Sequence, residues 1–60
     1  MKLWEYVGKK VRLTLTDGRI IVGVVEDWDD GYTLDGDDEI AIREYTYPES
    51  DIKKIEVINN

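Results

Sequence analysis

The sequence predicts an all-β fold, a small barrel of five antiparallel strands, and three observations support this. Short runs of residues alternate apolar with polar side chains, as strands with one buried face do. Asp-Gly, a strong hairpin signal, occurs at 17–18, 30–31 and 35–36. A long β-branched run is interrupted by Gly23, and a strand bent at a glycine can close a small barrel.

The strand positions follow from the alternation and from the turn residues. Val11, Leu13 and Leu15 share one face of the first strand. Pro48 ends the fourth strand because proline donates no backbone hydrogen bond, and the residues after it suit a tight 3₁₀ turn. We predict five strands in a single domain spanning residues 1–60, at residues 11–15, 20–28, 32–34, 39–47 and 51–58.

The N-terminal segment is ambiguous in structure. Leu3, Trp4 and Val7 have the spacing of one face of a helical turn, and an extended arm is the alternative. We favour a short helical turn that covers one end of the barrel. The segment lacks the apolar run of a signal peptide, and no stretch is long enough to span a membrane. We therefore expect a cytoplasmic protein.

The amino-acid composition excludes several kinds of functional site. The 60 residues include no cysteine and no histidine, which excludes disulfides, thiolate metal sites and the commonest metal ligand. Ser50 is the one serine, and no His or Cys is present to activate it. We predict no catalytic residues, no cofactor and no enzymatic activity. A chain this short gains stability from self-association, so we expect a homo-oligomer.

The net charge of −6 is unevenly distributed. Residues 1–19 carry a net +3, residues 20–42 a net −8 and residues 43–60 a net −1. The whole-chain field therefore repels phosphate, and any nucleic acid would need a local basic patch. Lys9, Lys10, Arg12 and Arg19 form the candidate patch. These residues are also typical of the solvated face of a strand, and they would suit an acidic partner surface.

Two further groups of side chains have both a functional and a structural interpretation. The acidic residues between 26 and 39 suggest a calcium or magnesium site, but their spacing does not match an EF-hand loop, and Asp is common in turns. We predict no metal site. Among the aromatic residues we assign Trp28 to the core and Tyr45 and Tyr47 to a surface or an interface.

The second predicted strand is apolar on both faces. Ile20, Val22 and Val24 point to one side, opposite to Ile21 and Val25. A barrel with one core cannot bury both sets inside. The outer set must therefore lie against the N-terminal segment or against another chain.

The chain resembles the first Sm motif of Sm-like (LSm/Hfq-type) proteins. The matching residues lie within 8–34, and a weaker resemblance covers 40–58. Those that carry the match are Gly8, Asp17, Gly18, Gly23, Trp28 and Asp29. The resemblance implies an SH3-like barrel, single-stranded RNA as ligand, and a ring of six or seven subunits in which the fourth strand pairs with a neighbour's fifth. Such pairing would place Ile42, Tyr45 and Ile55 at the interface.

The chain departs from the family where RNA would be bound. Gly31 stands near the place of an expected asparagine, and the segment from Tyr47 to Ser50 replaces Arg-Gly or Lys-His. Glu49 reverses the sign of a cation that should face phosphate. The net charge and the missing loop residues both disfavour RNA. A weaker similarity to the C-terminal barrel of the ribosome maturation factor RimP implies contacts with partners instead.

Two functional hypotheses follow. In the first, the chain is a non-enzymatic Sm-like binding module that self-associates, with RNA as a disfavoured ligand. In the second, it is an SH3-like adaptor that uses the tyrosines near residues 45–47 and the acidic loops to bind a basic or peptide partner. Neither hypothesis involves a membrane.

Overall fold

The strands form two three-stranded antiparallel sheets. The computed structural model describes residues 2–31 and 37–58. The first sheet has the strand order β2-β1-β6, and the second has the order β3-β4-β5. In chain order the elements are a first 3₁₀ turn (Leu3–Tyr6), β1 (Lys10–Leu15), β2 (Ile20–Val24), β3 (Asp27–Asp29), β4 (Glu39–Ile42), β5 (Tyr45–Pro48), a second 3₁₀ turn (Glu49–Asp51) and β6 (Ile52–Val57).

The predicted five-stranded SH3-like or Sm-like barrel is wrong. Six strands are present among the described residues, and no pairing between them joins the two sheets into a closed barrel. The physical reason is the break between β2 and β3, because β2 ends at Val24 and β3 begins at Asp27. No described strand therefore runs from one sheet into the other, whereas closing a barrel requires a continuous ladder of paired strands.

The predicted second strand over residues 20–28 is also wrong, because the chain changes sheet within it. The strand β2 ends at Val24, and β3 begins at Asp27. Between them, the Val25 N–H donates to the Lys9 carbonyl oxygen at 3.0 Å, and the Glu26 N–H donates to the Ala41 carbonyl oxygen at 2.8 Å. Val25 is fully buried and also forms a parallel bridge with Val7. Residues 25–26 therefore connect the two sheets.

Gly23 serves a close approach rather than the change of sheet. A Cβ built on Gly23 would lie 2.7 Å from Cγ2 of Ile42, which is a buried residue of the opposite sheet. Only a residue without a side chain leaves room for Ile42 at this distance. Gly23 therefore sets the spacing between the two sheets. Gly8 and Gly18 have φ of 85° and 95°, which favour glycine in their turns.

The predicted fourth strand over residues 39–47 is in fact a hairpin. The strands β4 and β5 pair antiparallel, with Ile42 opposite Tyr45, so that Arg43 and Glu44 form a two-residue turn. Arg43 has a φ of 60°, and its N–H donates to Oε2 of Glu26 at 3.1 Å. Turns of this kind favour glycine or asparagine, and neither is present here. The predicted strand at 32–34 lies outside the described residues.

The core lies between the inner faces of the two sheets. The alternation of β1 is confirmed, because its three apolar residues are buried and share one face. The first 3₁₀ turn adds Leu3, and Trp28 packs against the core from β3. The buried apolar residues are Leu3, Val11, Leu13, Leu15, Val25, Ile40, Ile42 and Ile52. No helix in the described part of the chain is both long enough and apolar enough to cross a bilayer.

Candidate functional site

A groove of about 450 Å³ opens between the two sheets. On one side it is bounded by the hairpin that joins β1 to β2 in the first sheet. On the other side it is bounded by β5, at the edge of the second sheet. The edge of β5 that faces away from β4 pairs with no other strand in the described ranges. The lining residues are Leu15, Arg19, Ile21, Tyr45, Thr46, Tyr47 and Asp51.

The tyrosines line the groove because of their register in β5. Tyr47 lies opposite Ile40 and Tyr45 lies opposite Ile42, so both rings are on the face of the sheet that carries the core. Tyr47 is partly buried against that core. Tyr45 is next to the hairpin turn, beyond the cover of the other sheet, and remains 66% exposed. The groove is thus an uncovered extension of the core with aromatic side chains at its mouth.

The first hairpin positions Arg19 in an exposed ion pair with Asp17, the two side chains being 68% and 54% exposed. The Arg19 N–H donates to Oδ1 of Asp17 at 3.0 Å, and the Arg19 Nε donates to Oδ2 at 2.8 Å. These hydrogen bonds, that of the backbone N–H foremost, hold the pKa of the Asp17 carboxyl below its ordinary value. Arg19 therefore presents a cation already paired within its own turn.

The second 3₁₀ turn places Asp51 on the rim of the groove. The Thr16 N–H donates to the backbone oxygen of Asp51 at 2.9 Å, which ties this turn to the first hairpin. The Asp51 carboxylate takes part in no ion pair within residues 2–31 and 37–58. The free negative charge at this groove is therefore that of Asp51.

The structure divides the predicted contact residues between two surfaces. Arg19, Tyr45 and Tyr47 meet at the groove. Lys10 and Arg12 are exposed on β1, and Arg12 lies opposite Glu56 in the first sheet, with Nη1 and Oε1 3.6 Å apart. Lys9 is exposed just before that strand. Most of the basic patch is thus separated from the tyrosines.

The predicted interface residues also differ in their accessibility. Tyr45 is exposed, Ile55 is half-buried, and Ile42 is only 1% exposed. Ile42 is therefore part of the core and is not accessible to a second copy in this fold. Its register opposite Tyr45 turns its side chain toward the first sheet.

Four of the described acidic side chains between 26 and 38 accept hydrogen bonds from backbone N–H groups. Oδ1 of Asp38 accepts the Gly31 N–H at 3.0 Å, and Oδ2 of Asp37 accepts the Ser50 N–H at 3.0 Å. Oε2 of Glu26 accepts the Arg43 N–H. Within the described residues, no three His, Cys, Asp or Glu side chains are arranged to hold a metal ion. These contacts favour the interpretation of the cluster as turn-forming residues.

Sequence reasoning did not assign Leu15, Ile21, Thr46 or Asp51 to a site. For Leu15 and Ile21 a signal exists, because their alternation places them on the inner face near the end of a hairpin. For Thr46 and Asp51 the signal is weak, since their position depends on a hairpin at Arg43 that has no glycine or asparagine.

Comparison of this chain with protein-family models, with curated proteins and with solved structures finds no match. The resemblance to Sm-like proteins therefore stays a prediction that rests on the motif residues.

Proposed function

We propose that this chain is a non-enzymatic binding domain that holds an extended, basic peptide segment of a partner protein in the groove between its sheets. The observation that carries the proposal is the groove itself, about 450 Å³ in volume and lined by Tyr45, Tyr47 and two aliphatic side chains. Tyrosine combines a large apolar ring with a polar hydroxyl, and it is enriched where proteins bind partners.

The charges around the groove favour a basic ligand. Asp51 has no ion-pair partner in the described part of the chain, whereas Arg19 is paired with Asp17. The chain as a whole carries −6. A lysine or arginine beside an apolar residue of the ligand would meet Asp51 while the apolar residue contacts the tyrosines. Complementary charges of this kind also raise the rate of association.

RNA is less well supported by the same geometry. Proteins that bind single strands place stacking aromatics and basic side chains along one groove. Here Lys9, Lys10 and Arg12 do not line the groove that contains the tyrosines. The acidic charge of the chain opposes phosphate as well.

The non-enzymatic part of the proposal rests on the groove's chemistry. None of its lining residues is a histidine or a cysteine, and Ser50 does not line it. A nucleophile without a neighbouring base is inactive at neutral pH. The groove offers contact surfaces and no activated group. A cytoplasmic location belongs to the same proposal, and fractionation of cells that express the chain tests it.

Fluorescence anisotropy tests the ligand class. The probe is a labelled extended peptide in which lysine alternates with valine, compared with peptides in which glutamine or glutamate replaces lysine. We expect the lysine peptide to bind most tightly and to shift the NMR signals of Tyr45 and Tyr47. We expect Tyr45→Ala to weaken binding about tenfold or more, and the control Val57→Ala, an exposed residue outside the groove, to leave it unchanged.

Three results would contradict the proposal. Equal binding of the lysine and glutamate peptides would remove the charge argument. Unchanged tyrosine signals at saturating peptide would show that the groove is not the site. Tighter binding of an oligo(U) strand, with affinity that falls steeply as salt rises, would assign the domain to RNA instead.

A further inference from the structure

The strand β2 differs from the other sheet edges of this molecule. Four strands have an outer edge that pairs with no other described strand, namely β2 and β6 in the first sheet and β3 and β5 in the second. Soluble proteins protect such edges with charged side chains or proline, because an open edge pairs with other chains.

The other three edges carry this protection. The strand β3 has Asp27 and Asp29, β5 ends at Pro48, and β6 includes Lys53, Lys54 and Glu56. By contrast, β2 reads Ile-Ile-Val-Gly-Val and contains neither a charge nor a proline.

The solvent-exposed side chains of β2 are apolar. Ile20 is 53% exposed, Val22 36% and Val24 47%. These three alternate residues stand on the outer face of the first sheet. The sequence is compatible with an N-terminal segment that covers these three residues, but the first 3₁₀ turn leaves them exposed.

The backbone of the same three residues points to the open edge. The odd-numbered residues on either side of them form backbone hydrogen bonds toward β1. The Arg19 carbonyl oxygen accepts the Leu15 N–H, and the Val25 N–H donates to the carbonyl oxygen of Lys9, just before β1. Backbone groups alternate between the two edges of a strand. The N–H and C=O groups of Ile20, Val22 and Val24 therefore face outward.

We propose that two copies of this chain pair through their β2 edges, antiparallel about a two-fold axis at Val22. This register places Val22 opposite Val22 of the second copy and Ile20 opposite its Val24. All outward backbone groups of these residues then find partners, and the three exposed apolar side chains of each copy meet on one face.

The charges favour a second copy over an unrelated partner. The strand is self-complementary, because its uncharged residues meet each other in this register. Arg19 precedes the strand and Glu26 follows it shortly after its end, so the antiparallel arrangement brings these opposite charges near each other at both ends. Two copies in parallel would instead bring like charges together.

The interface is small, so the dimer is weak. One strand and three side chains from each copy bury less than the roughly 1,200 Å² of a standard stable interface. We expect a dissociation constant between about 10 μM and about 1 mM. Ile21, which lines the groove, is on the inner face of β2. The dimer therefore leaves the peptide groove of each copy open. It does not depend on the proposed peptide function.

Sedimentation equilibrium up to about 1 mM protein tests the interface. We expect the wild-type chain to approach a dimer mass. Val22→Lys places two like charges opposite each other at the axis and should weaken the dimer by more than about 100-fold. Val57→Lys is the matched control, since Val57 is 42% exposed on another strand edge. It should dimerise as the wild type does.

Amide hydrogen exchange on the wild-type chain provides a test that needs no variant. Exchange at Ile20, Val22 and Val24 should slow as protein concentration rises, while exchange at Thr46 on the edge of β5 should not. A wild-type chain that stays monomeric at about 1 mM would overturn the proposal. So would a ring of six or seven, a dimer that persists in a folded Val22→Lys chain, or slower exchange at Thr46 instead of β2.

Discussion

Gly23→Ala tests whether the packing of the two sheets depends on their close approach at this residue. The new Cβ would lie 2.7 Å from Cγ2 of Ile42, well inside the separation of about 3.5–4.0 Å at which carbon atoms attract best. Ile42 is 1% exposed and cannot move into solvent. The two sheets must therefore shift apart, or one of the side chains must leave its preferred rotamer.

The magnitude follows from two opposing contributions. Overpacking of a close-packed core costs about 1–3 kcal/mol. Replacing glycine by alanine within a strand recovers about 0.5–1 kcal/mol, because the unfolded chain has less conformational freedom to lose. We expect Gly23→Ala to lower the free energy of unfolding by about 1–2 kcal/mol and the melting temperature by about 5–15 °C.

Urea denaturation followed by circular dichroism measures this change, at a protein concentration low enough to keep the chain monomeric. A double-mutant cycle identifies its cause. Ile42→Ala removes Cγ2, so the double variant should be more stable than the sum of the single effects by about 1 kcal/mol. Ile42→Val keeps Cγ2 and is the matched control, for which the effects should add. A Gly23→Ala chain as stable as the wild type would refute the close approach.

Two further predictions concern the turns. We expect Arg43→Gly to raise the free energy of unfolding by about 1 kcal/mol, because Arg43 has a φ of 60° that glycine adopts without strain; a thermal melt measures it, and a lower melting temperature would show that the Arg43 side chain stabilises the hairpin. The pKa of Asp17 is lowered by Arg19, so its contribution to stability is present above its ordinary pKa near 4 and is lost as pH falls through the folded pKa. Asp17→Asn should therefore be less stable than wild type at neutral pH, and the difference should vanish in acid; a constant difference across a pH series of denaturation curves would contradict this.

The elements that the sequence predicts well are those determined by local alternation. The face of β1 that carries Val11, Leu13 and Leu15 is buried as expected, and the Asp17-Gly18 turn is where the dipeptide indicates, with Gly18 at a φ of 95°. Both depend on side chains a few residues apart. Alternation and turn residues therefore suffice to place the first hairpin.

The hairpin at Arg43 and Glu44 has only a weak signal in the sequence, so the sequence predicts one strand over residues 39–47. Arg43 and Glu44 are adjacent charged residues at which the apolar residues change from even positions (40 and 42) to odd positions (45 and 47), but neither is a glycine or asparagine. Their turn is stabilised by Glu26, 17 residues earlier in the chain, through a hydrogen bond to the Arg43 N–H. A contact so distant in sequence adds nothing to the local pattern, so that pattern alone does not decide between one long strand and a hairpin.

The sequence predicts only part of the candidate site, because part of the site depends on the same hairpin. The alternation before Pro48 predicts a surface position for Tyr45 and Tyr47, and both line the groove. Charge alone groups Arg19 with Lys9 and Lys10, but only Arg19 of these three lines the groove. Charge in sequence does not report which face of a sheet a residue occupies.

The contact between Trp4 and Trp28 gives the protein an internal optical probe. These are the two tryptophans of the sequence, and their ring centroids lie 5.8 Å apart in an edge-to-face arrangement. The buried Nε1 of Trp28 donates no hydrogen bond in the described part of the chain, so the contact between the two indole rings is one of packing. Detachment of that turn would change tryptophan emission while the far-ultraviolet spectrum of the sheets stayed constant. The two signals together distinguish fraying of the N-terminus from unfolding of the whole molecule.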